Sequence, residues 1–381
     1  MTQIEKIMGS KQGEQAEITP NIIVLNDYSE IDSILNKIKA VNDNKQLKIF
    51  IDQDVPSGDP RTSELFGELT KFSKKYQIDF IQAKGIGYSY LLNEISADQV
   101  VVSLGQHNSI YAAKHSLGLN LQPDDFIQAI ETGHFAMTVP ETYTIKLTGK
   151  LSNDLDVRDV YINLLSKLKR KDTEGKVLEI GGTYLDSLSE SQRGAFFSMM
   201  ARKGAVTAVW NEKLSVADME FDLAGVQSLL VLPTTTSTTN SPYVAAPMSI
   251  LEDVDFNAGM IGGYTGGDID SLRLAAKLIG DHQHVAFGFR LNICPATSQD
   301  YLLALKEGLV SKFIDYGAQM IAPGDKNIVA QGAGAAGPGE RILTVGSYTF
   351  SNCLGSSDAN VYVSDMKTLI EVSLRERRQF K

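Results

Sequence analysis

Residues 131–151 read ETGHFAMTVPETYTIKLTGKL, and what flanks this stretch on either side sets the fold class. Tyr143 to Leu147 alternates apolar and polar side chains, the pattern of a strand with one solvated face, and helical spacing follows over 153–169. Upstream, 47–51 and 79–82 are short β-rich runs around an amphipathic helix at 62–76, and 99–103 (QVVVS) is apolar enough for a buried parallel strand. Downstream, 176–180 predicts a strand, Ser187 followed three residues later by Glu190 a capping box for a helix to about Arg202, and 206–210 the next strand. Strands over 258–261 and 284–293 and helices over 269–279, 298–309 and 365–375 complete the pattern. Alternation of this kind predicts α/β architecture. The run PTTTSTTNSP at 233–242 is polar and of low complexity, which predicts a linker. The chain then divides into a polar leader at 1–20, a first α/β subdomain at 21–150, a second at 151–232, the linker, and a third at 243–381. There is no short-period repeat.

The 381 residues, 43% hydrophobic and 22% charged, describe a globular chain with room for two or three domains. A net charge of −10 argues against nucleic acid or an anionic membrane surface as partner and leaves small molecules and proteins. No apolar stretch approaches the roughly 20 residues that span a bilayer, and the polar start lacks the apolar core of a secretory signal, so a cytoplasmic setting is expected. Cys294 and Cys353 are the only cysteines. They suit small buried residues better than a disulfide framework, and one chain with two thiols does not supply the three or four that a cysteine-held cluster needs.

Several landmarks occur in an order that resembles the large subunits of the aconitase and 3-isopropylmalate dehydratase family. Val139-Pro140-Glu141 and Leu147-Thr148-Gly149-Lys150 match a hairpin of that family. Asp52, Gln53 and Val55 lie where it has an Asp-His pair, GIGYS from Gly85 where it has Gly-x-x-His, and Gly105-Gln106-His107-Asn108-Ser109 where it has Gly-Asp-Ser-His-Thr. MMARKGA at 199–205, IGGYTGGDIDSLRLAA at 261–276, APGDKNIVA at 322–330 and an intact PGER at 338–341 continue the series. The resemblance implies an aconitase-like three-subdomain α/β/α architecture, here without the swivel domain, so that either a separate small subunit supplies it or none does. It also locates the departures. Tyr264, Asp325 and Ile328 stand at the three positions of the family's cluster cysteines, so no cofactor is expected. Gln53, Tyr88, Gln106 and Asn108 replace acid-base or orienting residues, Arg202 replaces a glutamate, and Tyr348 and Cys353 replace two arginines that grip substrate carboxylates.

By their own chemistry, His107, Lys84, Tyr88, Asp52 and Tyr264 are the catalytic candidates. An ordinary imidazole titrates near neutrality, which makes His107 the leading general acid or base, against the alternative of a hydrogen-bonded turn histidine. Gln53, Gln106, Asn108, Ser109, Arg202, Gly263, Thr265, Asp325, Ser347 and Tyr348 are the substrate-binding candidates. Arg202 and Lys84 are potential anion clamps, or a helix-end arginine and a surface lysine. The loop 262–267, between a strand and a helix, offers backbone N–H groups to a carboxylate or phosphate, or binds nothing. Asp52, Asp325 and His107 as a hard-metal site, and His282 with His284 as more than a solvated edge, find no support in spacing. The glycine-rich 331–340 lacks the ending of a phosphate loop and reads as a cleft-lining loop. The expectation is a cluster-independent lyase, hydratase or isomerase working by acid-base chemistry on a small polar or anionic metabolite, or a non-catalytic ligand-binding or assembly subunit that pairs with a swivel-domain partner.

Overall fold

The computed structural model describes residues 1–26, 31–53, 55–105, 107–235, 243–281, 284–325 and 332–375. Three parallel sheets carry the architecture. In the first, five strands lie in the spatial order Asp79–Gln82, Leu47–Ile51, Ile22–Asn26, Val100–Ser103, Leu117–Asn120, all parallel. Val100–Ser103 is buried along its whole length, as its continuous apolar run requires. The second sheet has the order Thr207–Trp210, Val177–Gly181, Thr142–Thr148, Met219–Asp222, again parallel. The third has a parallel centre, Asn360–Val363, Arg341–Thr344, Ala258–Ile261, Arg290–Ile293 and Gln319–Met320, extended at one edge by the antiparallel pair Leu229–Val231 and Ala245–Pro247.

The sheets redraw the expected boundaries. Thr142–Thr148, placed with the first subdomain by its sequence position, is a central strand of the second sheet, and Leu229–Val231 belongs to the third. The polar run expected as a linker joins two paired strands of one sheet, and its residues 236–242 lie outside the described residues. The first twenty residues fold onto the body. Thr2 and Glu5 form a capping box for the helix Gln3–Met8, whose Ile4 is fully buried, and Gln15–Ile18 pairs antiparallel with Phe135–Thr138.

Locally, the strands 47–51, 79–82 and 258–261 and the helix 269–279 form where the pattern predicts them. The capping box expected at Ser187 and Glu190 is instead Ser189 with Gln192, at the start of the helix Glu190–Ser198, because Ser187 closes a separate short helix, Thr183–Ser187. The helix expected over 298–309 stops at Lys306. Gly308 takes a left-handed conformation (φ 74°), and a second helix, Leu309–Tyr316, begins. Of the strand expected over 284–293 only Arg290–Ile293 is extended; Val285 and Ala286 bond outward to the carbonyls of Tyr316 and Ser373. Among the described residues no helix is long and apolar enough to cross a membrane.

Ile4→Ala tests whether the first twenty residues belong to the body of the fold. Emptying this buried site is expected to lower stability in urea by about 2–5 kcal/mol, whereas a change near zero would make the segment dispensable.

Candidate functional site

Open parallel sheets leave a crevice at the carboxyl ends of two neighbouring strands whose connections run in opposite directions. In the first sheet this place lies between Ile22–Asn26 and Val100–Ser103, and in the third between Ala258–Ile261 and Arg341–Thr344. Asn26 at the end of the first of these strands, the chain leaving the other three, and the chain after the helix Glu190–Ser198 meet in one buried polar centre.

Asp52 follows the strand Leu47–Ile51 and is buried. One of its carboxylate oxygens accepts from Asn26 Nδ2 at 2.9 Å and from the Gly87 N–H at 2.6 Å, and its carbonyl accepts from the Asp325 N–H at 2.9 Å, which joins the first sheet to the third. Beyond the strand Val100–Ser103, the Ser103 Oγ accepts from Asn108 Nδ2 at 2.8 Å and from the Gly105 N–H at 2.9 Å. With both lone pairs filled, its own hydrogen goes to the Tyr88 hydroxyl, 2.6 Å away. Gly105 is obligatory here, since a Cβ would stand 1.9 Å from the Tyr88 oxygen.

His107 is the hub. Its Nδ1 lies 3.0 Å from the Ser198 carbonyl, which only an N–H can face, so Nε2 is the bare nitrogen and accepts from the Tyr348 hydroxyl at 2.6 Å. The Tyr264 ring stacks on the imidazole with centroids 3.9 Å apart. Burial, and then the positive charge of Arg202, hold the His107 pKa down to about 3, so the imidazole is neutral. Arg202 donates to the Ser347 carbonyl and lies 4.3 Å over the Tyr348 ring. Burial pushes the Tyr348 phenol up and the guanidinium pulls the other way, so a negative charge on that oxygen has a cation waiting. Tyr264 is also pushed up, by burial first and then by the Asp325 and Asp52 carboxylates.

The structure therefore gathers Asp52, Tyr88, His107, Arg202, Tyr264, Asp325, Ser347 and Tyr348. Asn108 and Ser109 brace the His107 loop instead, Ser109 through the Phe197 carbonyl at 2.6 Å, and Thr265 braces the opposite loop through the Val345 carbonyl at 2.6 Å. Gly263 turns that loop (φ 74°), Gln53 is half-buried beside Asp52, and Lys84 is exposed, apart from the buried groups. Gln106, Ile328 and His282 lie outside the described residues, and His284 is exposed. The anion-receiving role considered for loop 262–267 meets internal competition: the Ile269 N–H already bonds Asp300 at 2.9 Å and the Ser271 N–H bonds Asp268 at 3.0 Å. A cavity of about 50 Å³, lined by Ser89, Asn93, Glu190, Asp268 and Asp300, reaches Tyr264 and has room for water. Asn26, Ser103 and Ser198 act in the site without having been singled out in the sequence. Ser103 ends a strand that the pattern did predict, and that position was its only signal.

The cluster that the family resemblance implies does not fit these donors. At two of the three positions where the resemblance puts the family's cysteines, this chain has a phenol, Tyr264, and a carboxylate, Asp325. The Cys294 thiol donates to the Ala322 and Gly324 carbonyls at 3.2 Å, and that of Cys353 to Tyr348 O at 3.6 Å. Among the described residues no group of three or more His, Cys, Asp or Glu is placed to hold a metal ion.

Nitrogen NMR of the imidazole is expected to show the Nδ1–H tautomer of His107 and no titration from about pH 8 down to about pH 5. Because the folded pKa is depressed, its contribution to stability is present above the unfolded value and is lost as pH falls toward the folded one. A resonance titrating near pH 6.5 contradicts the neutral pair.

A model of the aconitase family (aconitate hydratase) matches residues 22–218. The 3-isopropylmalate dehydratase large subunit 2 of Pyrococcus furiosus is 24% identical over 373 residues, covering 96% of this chain and 95% of that one. The corresponding large subunit of Caldicellulosiruptor saccharolyticus is 25% identical, with 86% and 82% covered. Among solved structures, Thermococcus kodakaraensis aconitase X in its holo-form superposes with a TM-score of 0.55 at 12% identity over 99% of this chain and 93% of that one, a likeness of fold. With its parallel sheets, its site at their facing carboxyl ends and these matches, the chain belongs to the aconitase family.

Proposed function

We propose that this protein is a hydratase-type lyase, or an isomerase, that moves a proton next to a carbonyl or carboxylate in a small polar metabolite, with side-chain acid-base chemistry in place of an iron-sulfur cluster. Membership of the aconitase family supports a hydratase-like function. The hydrogen bond from Tyr348 to the bare nitrogen of a neutral His107, beside Arg202, carries the rest of the reading. In this scheme the Tyr348 oxygen exchanges the proton with the substrate, giving it up as acid and taking it back as base, while the neutral His107 holds the hydroxyl through Nε2. The Ser198 carbonyl holds the imidazole in the required tautomer, and Arg202 stabilises the phenolate. Tyr264 and Tyr88 are the phenols that receive a developing oxyanion, and Asp52 and Asp325 orient a polar substituent. Arg202 and Ser347 meet an anionic group of the substrate, and Lys84 at the rim attracts it. The relatives are named large subunits, which supports a small-subunit partner for this chain as well.

The test begins with a thermal-shift screen of small carboxylic and amino acids to find a ligand, followed by exchange of its hydrogens in heavy water. Tyr348→Phe and His107→Ala are each expected to slow exchange roughly 100- to 10,000-fold. Equal exchange in wild type and both variants removes the pair from the mechanism, and tight binding without exchange in any of them favours a ligand-binding subunit. Protein treated with iron and sulfide under anaerobic conditions is expected to stay colourless and inactive on citrate, isocitrate and isopropylmalate. A stoichiometric four-iron cluster, or turnover of any of the three, overturns the cluster-free reading.

A further inference from the structure

Away from this centre, the second and third sheets meet at the N-termini of two helices, Val157–Lys167 and Met366–Ser373. Two buried carboxyl groups face each other there across one hydroxyl. Ser228 Oγ lies 2.5 Å from Asp365 Oδ2 and 3.1 Å from Asp159 Oδ1. Ser228 cannot drift from this position, because Asn163 clamps the backbone of Gln227, donating to its carbonyl at 2.6 Å and accepting from its N–H at 3.3 Å.

A hydroxyl has one hydrogen, and two carboxylates both ask for it. The shorter contact assigns it to Asp365. Asp365 also accepts from the Thr368 N–H and hydroxyl, both at 2.8 Å, and is therefore well supplied with donors for a full negative charge. The Asp159 carboxyl faces the Ser228 hydroxyl and accepts from the Asp156 N–H at 2.9 Å, so with the Ser228 hydrogen committed elsewhere, Asp159 Oδ1 meets a lone pair unless it carries a hydrogen of its own. The surroundings favour that hydrogen. From its own helix, Asp156 adds a second negative charge, and the Arg158 guanidinium turns to Asp156 at 2.9 Å and to Ser271, which bonds Asp268. Tyr184 feels both Asp156 and Asp159, Tyr161 lies beside Arg158, and Lys367 on the other helix is exposed. Burial, then the charges of Asp365 and Asp156, push the Asp159 carboxyl up to about 8.

We infer that one proton, carried by Asp159 and continued through Ser228 to Asp365, locks the second sheet to the third, and that its loss in alkali loosens this seam. The seam is also the one that Arg202 spans, since Arg202 comes from the second sheet's side and the Ser347 carbonyl and Tyr348 ring it meets come from the third's. The inference does not depend on any reaction at the site. A group whose folded pKa is raised stabilises fully below its unfolded pKa and loses that contribution as pH rises through the folded one. Wild type should therefore lose urea midpoint between about pH 7, above which His107 no longer titrates in either state, and about pH 9. Asp159→Asn supplies a permanent N–H to Ser228, so it should shed that part of the slope and exceed wild type at the alkaline end. An unchanged slope in Asp159→Asn overturns the proposal. Should the variant fail to fold, infrared spectra of wild type decide: a protonated carboxyl band at neutral pH that disappears on titration past about pH 8 supports it, and no such band overturns it.

Discussion

Asp52 holds two sheets together from both of its ends. Its side chain gathers the end of the neighbouring strand at Asn26 and the start of a helix at Gly87, while its backbone carbonyl receives the Asp325 N–H from the third sheet. A carboxylate taken out of water has to find its donors inside the protein, and here the donors it finds come from elements that would otherwise be separate. The facing strand ends, and hence the placement of every other polar group in the centre, follow from that requirement.

Burial also decides what those groups are chemically. A histidine in water near neutral pH shuttles protons alone, but His107, dry and beside a guanidinium, stays neutral and meets the phenol of Tyr348 on its bare nitrogen. The phenol of Tyr348, an unpromising acid-base group in isolation, gains an acceptor at one end and a cation over its ring. In the reading proposed above, electrostatics of this kind stand in for the Lewis acid of a cluster. They also account for the aromatic filling of the centre, where Tyr88, Tyr264 and Tyr348 pack around the imidazole.

The same logic runs through the rest of the molecule. Aspartates, buried at Asp365 and half-buried at Asp156 and Asp268, cap the helices that begin at Met366, Val157 and Ile269, and they are bound to one another or to their neighbours through Arg158, Ser271 and Ser228. Helix N-termini want negative charge, and packing three of them together brings the charges that satisfy each helix into mutual repulsion. A proton and an arginine relieve it. Family membership and fold are therefore compatible with a centre whose polar chemistry has been rewritten, because the strand-end geometry is set by backbone and burial rather than by the identity of any one ligand.

Alternating apolar runs and helical spacing determined the α/β class, and the order of short motifs determined the family, because both are local properties written within a few residues of one another. The strand Leu47–Ile51 and the helix Ile269–Ile279 were legible on that basis, and the motifs also singled out Asp52, His107, Tyr264 and Tyr348, which the structure gathers in one buried centre. The strand Thr142–Thr148 was legible too, but not its sheet, since pairing is decided by which neighbours bury its face. The folded leader escaped because Ile4, Ile7 and Met8 are a few apolar residues among polar ones, and only the body of the protein gives Ile4 and Met8 somewhere to be buried. For the site, sequence supplied the inventory and the tertiary structure supplied the roles. That His107 points one nitrogen at a carbonyl and the other at Tyr348, that Lys84 stands in solvent and that Asp159 faces Asp365 all depend on contacts between residues tens to hundreds of positions apart, and no local pattern encodes them.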